Sequence, residues 1–363
     1  MDLTEWIRRS PKIALHDHLD GGLRPATIID LAGPAGVELP AATPDALGQW
    51  FFDQANSGSL AAYLTTFDLT LAVMQTYDDL RRVAKEFVLD QAADGVVYAE
   101  ARWAPVQHTQ AGLTQEDAVR AVRDGLADGM AAARAAGHVT IARQLLTELR
   151  GTEPTPETAE LAIAYRDDSV VGLDCAGPEA GHPATAFAES WRLAHAANMF
   201  VTIHAGEEGG LDSIGEALHD CGAHRIGHGV RLIDDITVVA GRPRFGRLAE
   251  LVAALRIPLE VAPTSNLQTG VAPDLAHHPF DTLYRSGLRV TVNCDNRLMS
   301  RTTMTREFTR LAETFGYGLG DVRRLTINAA KSVFLPWQER RALIHDLIIP
   351  GYVGAPPETA RVR

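Results

Sequence analysis

The sequence predicts an α/β fold, a (β/α)8 barrel, from three observations. Short apolar, β-branched runs recur along the 363 residues, longer amphipathic segments separate them, and polar or small residues end most of the runs. Alternation of strands and helices favours a parallel sheet, and eight such units are typical of a closed barrel. The alternative, an open doubly wound sheet, favours a glycine-rich first turn, and "HLDGGLRP" does not match that GxGxxG pattern.

The eight predicted strands are, in chain order, "KIALHDHL", "GVVYAEARWAP", "TIARQLLTEL", "VVGLDCAG", "FVTIHAGEE", "HRIGHGV", "IPLEVAPTSN" and "LRVTVNCDN". Amphipathic segments such as "QEDAVRAVRDGLADGMAAARAAG" lie between them, with apolar residues at helical spacing. The sequence shows neither a low-complexity linker nor an internal repeat. We therefore expect residues 1–363 to form one domain.

The composition argues against several classes of partner. The net charge is −12 and the pI is about 5.5, so the surface should repel nucleic-acid backbones and anionic membranes. No apolar run is long enough to span a bilayer. The widely spaced Cys175, Cys221 and Cys294 form no CxxC pair, which favours a reduced, cytoplasmic setting. Nothing in the sequence indicates an oligomeric state.

Polar residues gather at the predicted strand ends. His16 and His18 lie one residue apart on the first strand, so their side chains point the same way, and Asp20 follows them. Because barrel enzymes place their chemistry at the carboxyl ends of the strands, these ends are the candidate site, and burying such groups unpaired for packing alone would be costly. The other polar or glycine positions at strand ends are Gly177, His204, Gly206, Glu207, His228, Thr264, Ser265, Asn266, Asp295 and Asn296.

Four of these groups suit one divalent metal ion. Three histidines and one carboxylate are a typical ligand set for zinc or a similar ion that keeps a position open for water. His16, His18, His204 and Asp295 come from strands one, five and eight, and strands one and eight are neighbours in a closed barrel. We therefore predict a mononuclear metal site at the C-terminal face. A lone histidine such as His228 is more often structural than functional.

Two other features bear on the chemistry. The chain has only three lysines, and none lies at a strand end, which disfavours a Schiff-base aldolase and a dinuclear centre bridged by a modified lysine. Glu100 and Arg102 lie one residue apart on the second strand. We predict that they form a buried ion pair that holds the barrel together, rather than acting in catalysis.

The motifs together resemble the adenosine deaminase family of the amidohydrolase superfamily. They are "PKIALHDHLDGG", "LDCAGPE", "TIHAGEE", "RIGHGVRL", "APTSNLQTG" and "VNCDNRLMS", and they extend over nearly the whole chain. The short spacings and the "DNRLMS" ending resemble the bacterial branch. The resemblance implies zinc-dependent hydrolytic deamination of adenosine and 2′-deoxyadenosine to inosine and 2′-deoxyinosine plus ammonia, with one zinc ion per chain and a small purine nucleoside as substrate.

The resemblance also implies a role for each site residue. One zinc ion would be held by His16, His18, His204 and Asp295. Glu207 would donate a proton to N1 of the purine, and His228 would orient the attacking hydroxide and help take its proton. A carboxylic acid in a dry, apolar pocket has the raised pKa that this proton donor needs.

Substrate contacts are implied at Asp20 with the ribose 5′-hydroxyl, at the backbone of Gly177 with purine N3, and at Asn296 with N7; His18 would also lie against the substrate. An apolar stripe could cover the ribose, although it is at least as compatible with plain core packing. Its members are Leu60, Tyr63, Leu64 and Phe67.

The sequence departs from the family at the end of strand eight. The widespread pattern has two aspartates there, whereas this chain has Asp295 followed by Asn296, and Cys294 stands where many relatives carry threonine. An asparagine amide donates a hydrogen bond without needing a proton, so Asn296 is able to serve N7. The alternatives left open are another aminopurine (adenine or a 5′-modified nucleoside such as aminodeoxyfutalosine), a different metal hydrolase, and a non-catalytic binding protein.

Overall fold

The computed structural model describes residues 2–56 and 60–353, without the side chains of residues 60–62, 64 and 65. Its strands are β1 Lys12–His18, β2 Val96–Trp103, β3 Ile141–Leu149, β4 Val170–Ala176, β5 Phe200–Ala205, β6 Arg225–His228, β7 Ile236–Val239, β8 Arg242–Phe245, β9 Pro258–Val261 and β10 Arg289–Val292. Its helices are α1 Leu3–Arg9, α2 Pro25–Ala35, α3 Pro44–Ala55, α4 Leu60–Ala72, α5 Tyr77–Ala93, α6 Gln115–Ala135, α7 Glu157–Ala164, α8 Ala188–Ala196, α9 Leu211–His219, α10 Arg247–Leu255, α11 Pro263–Gln268, α12 Phe280–Arg285, α13 Arg297–Ser300, α14 Met304–Phe315, α15 Leu319–Ala330, α16 Trp337–Ala342 and α17 Ile349–Gly351.

Eight parallel strands form the barrel in the order β1-β2-β3-β4-β5-β6-β9-β10. The two ends of this sheet meet where a parallel bridge joins Asp17 to Asp295. There the His18 N–H donates to the Asp295 carbonyl at 2.8 Å, and the Asp295 N–H donates to the His16 carbonyl at 3.0 Å. The predicted barrel is confirmed, and its closure fixes the backbone of the HxH motif against that of Asp295.

The α5–α6 pair shows how the sequence sets the outer layer of helices. Thr114 caps the start of α6 by accepting from the Asp117 N–H, and the Asp117 side chain accepts from Thr114 in return. Gly125 then allows the two helices to approach closely, because a Cβ there would lie 2.2 Å from the Arg81 carbonyl oxygen. Apolar residues of α6 such as Val119 and Leu126 are fully buried.

The structure differs from the sequence-based prediction at two places. An antiparallel hairpin, β7–β8, lies between β6 and β9 and was not predicted. The seventh predicted strand is also too long, since β9 ends at Val261 and Thr264–Asn266 lie in α11. Pro263 occupies the first turn of α11, where its fixed φ favours a helix start.

The three cysteines are unpaired and buried. Among the described residues, no helix has both the length and the apolar character needed to cross a bilayer.

A layer of five buried charged residues fills the barrel below its C-terminal mouth. Arg102 bonds Asp174 (Nη1–Oδ2, 3.2 Å) and Glu260 (Nη2–Oε2, 2.6 Å). Arg225 bonds Glu100 (Nη2–Oε2, 2.5 Å) and the other oxygen of Glu260. The predicted pairing of Glu100 with Arg102 is therefore wrong, although both residues are buried and structural. Side chains at positions i and i+2 of a strand point the same way, so Glu100 and Arg102 lie on the same side of β2. Each of them pairs with a residue on another strand of the barrel. We call these five residues the charged layer.

Candidate active site

Five side chains converge at the mouth of the barrel, directly above the charged layer. His16 and His18 come from β1, His204 from β5, His228 from the end of β6, and Asp295 from the segment after β10. Asp295 Oδ1 lies 3.2 Å from both His16 Nε2 and His18 Nε2, and His18 Nε2 lies 3.3 Å from His204 Nε2. We call these five residues the site cluster.

The composition of the tightest group differs from the predicted ligand set. Ligand atoms of His16, His204, His228 and Asp295 all lie within 4.8 Å of one another. His18, which the sequence-based prediction included, lies at the edge of this group, and His228 lies inside it. The structure therefore brings together all four predicted ligands and adds a fifth candidate.

Two of the histidines are oriented by carboxylates below them. His16 Nδ1 lies 3.0 Å from Glu260 Oε2, and His204 Nδ1 lies 3.1 Å from Asp174 Oδ1. An N–H held in this way fixes the ring and leaves Nε2 free to bind a metal. Among the described residues, His16 Nε2 and Asp295 Oδ1 are buried with no hydrogen-bond partner. Unpaired nitrogen and oxygen donors at one buried point fit a single divalent metal ion.

The backbone is strained at the same place. His228 has φ of 60° and Asp295 has φ of 61°, in the left-handed region that non-glycine residues rarely adopt. Gly206 and Gly229, with φ of 71° and 65°, occupy the same region without a Cβ penalty. Such strain is typical of residues that a functional site holds in one orientation.

Burial and neighbouring charge perturb the titration of the site. Burial lowers the pKa of His204 to about 3, against the opposing charge of Asp174. Burial alone would raise the pKa of Asp295, but the His16 and His18 imidazoles, each 3.2 Å from its Oδ1, hold the pKa well below its usual value. Burial, followed by the Asp295 charge, raises the pKa of Glu207 to about 7. The site thus combines imidazoles whose pKa is lowered, at His16, His204 and His228, with an ionised carboxylate and a carboxyl that holds its proton near neutral pH.

Glu207 is held by side chains of β6 and α11. Its Oε2 lies 3.3 Å from His228 Nε2, and its Oε1 accepts from Asn266 Nδ2 at 3.1 Å and from the Thr269 hydroxyl at 2.9 Å. Asn266 Nδ2 also lies 3.0 Å from His228 Nδ1. Thr264, Ser265 and Asn266 were predicted as polar strand-end residues, and Ser265 and Asn266 do face the site, from a helix rather than a strand.

The sequence analysis did not identify the residues that orient Glu207 and the histidines of the site cluster. Glu179 accepts hydrogen bonds from the N–H groups of Gly206, Glu207 and Gly209 at 3.1, 3.0 and 2.9 Å, and so fixes the turn that carries Glu207. Asp174 and Glu260 were also missed. A carboxylate inside an apolar strand, as in "GLDCA" and "PLEVA", was the available signal.

The predicted substrate contacts surround the same mouth. Asp20 is buried, and its Oδ1 has no hydrogen-bond partner in the part of the chain that the structure describes. That atom lies 3.9 Å from His18 Nδ1. Gly177 has φ of 99°. Asn296 is buried and donates from Nδ2 to the Tyr63 hydroxyl at 2.8 Å. The side chains of Leu60 and Leu64 from the predicted stripe lie outside the described part of the chain, and Phe67 packs on Tyr63 with ring centroids 5.7 Å apart.

Comparison with known proteins decides the family. The model of the adenosine deaminase family matches residues 11–349. This chain belongs to the adenosine deaminase family. The resemblance inferred from the motifs is confirmed.

Individual relatives agree with this assignment. The chain is 54% identical to an adenosine deaminase of Mycobacteroides abscessus, over 97% of this chain and 98% of that protein. An adenine deaminase structure from Arthrobacter aurescens is 26% identical, with a TM-score of 0.79 over 93% of this chain and 98% of the other. An amidohydrolase from Burkholderia ambifaria, solved with bound Zn, is 25% identical, with a TM-score of 0.79 over 94% and 90% of the two chains. An Arabidopsis ADAL structure in complex with IMP is 26% identical, with a TM-score of 0.78 over 93% and 96%.

Proposed function

We propose that this protein is a zinc-dependent adenosine deaminase that converts adenosine and 2′-deoxyadenosine to their inosine counterparts and ammonia. The observation that carries the proposal is the pairing of a metal-type cluster with Glu207, a carboxyl that is only 19% exposed and whose pKa is raised to about 7. Hydrolytic deamination of a purine needs both elements: an activated water to attack C6, and an acid to protonate the ring nitrogen beside it. A hydrolase acting on an amide or a lactone has no need for an acid aimed at a ring nitrogen.

The direction of the hydrogen bond between Asn266 and His228 supports His18, rather than His228, as the third histidine ligand. Asn266 Nδ2 is a donor, so His228 Nδ1, 3.0 Å away, accepts. The proton of the neutral ring is then on His228 Nε2, and a protonated nitrogen does not bind a metal. We therefore assign His16, His18, His204 and Asp295 as ligands of one zinc ion, and His228 as a hydrogen-bond donor beside them.

The zinc ion, when bound, would polarise a water molecule and lower its pKa towards neutrality. His228 Nε2–H lies near the ligand set and orients the oxygen that attacks C6. In this tautomer His228 donates, which supports its predicted orienting role and not its predicted role in taking a proton. Glu207 supplies a proton to N1 as the C6–O bond forms. The proton of the new C6 hydroxyl then passes to the amino group as the C6–N bond breaks, so that ammonia leaves and C6 becomes a carbonyl, and the proton released by the attacking water restores the acid form of Glu207.

The residues beside the site cluster support a nucleoside over a free base. Asp20 Oδ1 is a buried acceptor that no described residue pairs with, and a ribose hydroxyl is a donor that satisfies it. The backbone N–H of Gly177 and the amide of Asn296 are assigned to purine N3 and N7. A cytoplasmic location, a single domain over residues 1–363 and the absence of nucleic-acid partners stay predictions.

The test is Glu207→Gln in zinc-loaded protein, followed by the ultraviolet change from adenosine to inosine. We expect kcat to fall by about 100-fold or more, because a general acid contributes roughly 10²–10⁴-fold, while zinc content stays at one ion per chain. The matched control is Glu208→Gln, the adjacent exposed acid, which should keep full activity. Full activity of Glu207→Gln would contradict the assigned role. Turnover of adenine but not of adenosine by the unaltered enzyme would contradict the assigned substrate.

A further inference from the structure

A buried carboxylate outside the site cluster holds the start of α11. Glu307 lies on α14, is 1% exposed and has no part in the proposed chemistry. Its Oε2 accepts from the Thr264 N–H at 3.2 Å, and its Oε1 accepts from the Thr264 hydroxyl and, at 2.5 Å, from the Thr302 hydroxyl. Burial of a carboxylate is costly unless such donors satisfy it, and two of the donors belong to one residue of α11.

Thr264 lies where α11 supplies no acceptor of its own. The first N–H groups of a helix have no acceptor within that helix, and Ala262, which precedes α11, has no polar side chain that could cap it. Glu307 supplies the missing acceptor from a different helix. Arg310 of α14 donates to the Thr264 hydroxyl oxygen, so the proton of that hydroxyl is directed at Glu307. The first turn of α11 is thereby fixed to α14 through both its backbone and its side chain.

The two residues that follow Thr264 reach the reacting groups. Ser265 donates to Asp295 Oδ2 at 2.6 Å, and Asn266 Nδ2 donates to Glu207 Oε1 at 3.1 Å. Because α11 is only six residues long and a helical turn takes 3.6 residues, Asn266 lies in the same turn as Thr264. A displacement of Thr264 is therefore a displacement of Asn266.

We infer that Glu307 is a positioning residue: it orients α11 so that Asn266 holds the Glu207 carboxyl where it protonates N1 of the purine. The inference rests on the proposed function. Proton transfer needs the acid within hydrogen-bond reach of the ring nitrogen, and a small displacement of a reacting group lowers the rate strongly. Asp20 and Asn296, which are assigned to the substrate, do not lie on α11. Loss of Glu307 should therefore lower kcat and leave KM unchanged.

The test is Glu307→Gln in zinc-loaded protein, with the rate of adenosine deamination measured over a range of adenosine concentrations. Glutamine keeps the size of the side chain, but its NH2 group cannot accept, so at least one of the donors from Thr264 and Thr302 loses its acceptor. We expect kcat to fall on the order of tenfold, with KM and zinc content unchanged. If this variant does not fold, Thr264→Val, which removes the hydroxyl and keeps the N–H bond, should lower kcat by a smaller factor.

The matched control is Glu216→Gln. Glu216 on α9 accepts from the N–H and the hydroxyl of Thr185 at 2.9 and 2.6 Å, the same pair of donors in a contact that includes no residue of the site cluster. This variant should keep the kcat of the parent. A general loosening of the fold would lower kcat in both glutamine variants, and that result would overturn the inference.

A second measurement tests whether Glu307 acts through Glu207. A residue that places an acid has nothing to place once the acid is removed, so Glu307→Gln should not lower the residual kcat of the Glu207→Gln variant further. The same fold-loss in both backgrounds, an unchanged kcat in Glu307→Gln, or a rise in KM alone would overturn the inference. The proposed function fails on a different result, namely no deamination of adenosine by the unaltered zinc-loaded enzyme.

Discussion

The charged layer and the site cluster are adjacent, equally buried and equally polar, yet they differ in how their groups are satisfied. In the charged layer, Arg102 and Arg225 each bond two carboxylates, and every charge has a partner of opposite sign. In the site cluster, neither His16 Nε2 nor Asp295 Oδ1 has a hydrogen-bond partner within residues 2–56 and 60–353 as described, and Asp20 Oδ1 nearby has none there either. The two regions meet at Glu260 and Asp174, which bond arginine below and histidine above.

This difference in pairing distinguishes buried polar residues that stabilise the barrel from buried polar residues that can bind a ligand. A buried polar group without a partner is costly, and where several such nitrogen and oxygen atoms converge on one point, as at His16 Nε2 and Asp295 Oδ1, a ligand can supply the missing contacts. A buried ion pair does not by itself indicate a ligand site. Removal of a residue from the site cluster should therefore reduce activity and spare stability, whereas removal of an arginine from the charged layer should reduce stability most.

The largest effect is expected for Asp295→Ala. Loss of the carboxylate should reduce zinc content to a small fraction of one ion per chain and kcat by on the order of a thousandfold, since a bound metal contributes several kcal/mol to the transition state. The metal-free protein should be about as stable as the metal-free parent, because the removal of a buried carboxylate oxygen that lacks a described hydrogen-bond partner offsets the lost bond from Ser265. Zinc analysis and urea unfolding with chelator present check both parts. A large decrease in the free energy of unfolding of the metal-free variant would contradict the claim that the site cluster serves activity rather than stability.

The next effect is expected for Arg102→Met in the charged layer. This change leaves Asp174 without a cation and Glu260 with Arg225 alone, and the free energy of unfolding of the metal-free protein should fall by about 3–5 kcal/mol. The matched control is Arg82→Met, which removes a surface arginine paired with Asp30 and Glu86 and should cost less than about 1 kcal/mol. If Arg102→Met does not fold, Arg102→Lys, which keeps the charge, should fold with a smaller loss. Equal losses in the Arg102→Met and Arg82→Met variants would contradict the structural role.

Local pattern was sufficient to predict the barrel and much of the mouth. The eight barrel strands and the convergence of His16, His18, His204 and Asp295 followed from period-two alternation and from the rule that barrel chemistry lies at strand ends. The hairpin β7–β8 was missed because residues 237–244 are all exposed and so carry no buried-face pattern. Thr264–Asn266 were misplaced because the Pro263 helix-start signal was not used.

Partners across the barrel could not be predicted in this way. Arg102 and Glu100 are two residues apart, and their alternation places them on the same side, but their true partners lie 72 to 158 residues away in the sequence. The orienting carboxylates Asp174, Glu179 and Glu260 depend on the same long-range geometry. No local spacing encodes which histidine stands above which carboxylate, and the tautomer of His228 follows from Asn266, 38 residues further on.

The third prediction concerns a buried carboxyl that belongs to neither region. Glu148 lies at the end of β3, but its Oε1 accepts from Ser190 at 2.6 Å on the outer side of the barrel. Burial raises its pKa to about 7, and hydroxyl groups alone oppose the shift. Among the described residues, no cation pairs with Glu148, and the carboxyl of the site cluster likewise lacks one. We expect no ligand to bind at Glu148. This residue therefore tests whether an unpaired buried carboxyl always marks a ligand site.

The sign of its pH dependence follows from linkage. Folded Glu148 binds its proton more tightly than the unfolded chain, whose pKa is about 4.5, so stability falls as pH rises from about 4.5 to about 7 and the full penalty is present above that range. Glu148→Gln keeps the Ser190 bond and removes the charge. At pH 8 the variant should be more stable by roughly 1–3 kcal/mol, with little difference at pH 5 and unchanged deaminase activity. Urea unfolding of both proteins at the two pH values measures this. A loss of activity would place Glu148 with the site cluster, and a pH-independent difference would mean that its ionisation is not what destabilises the fold.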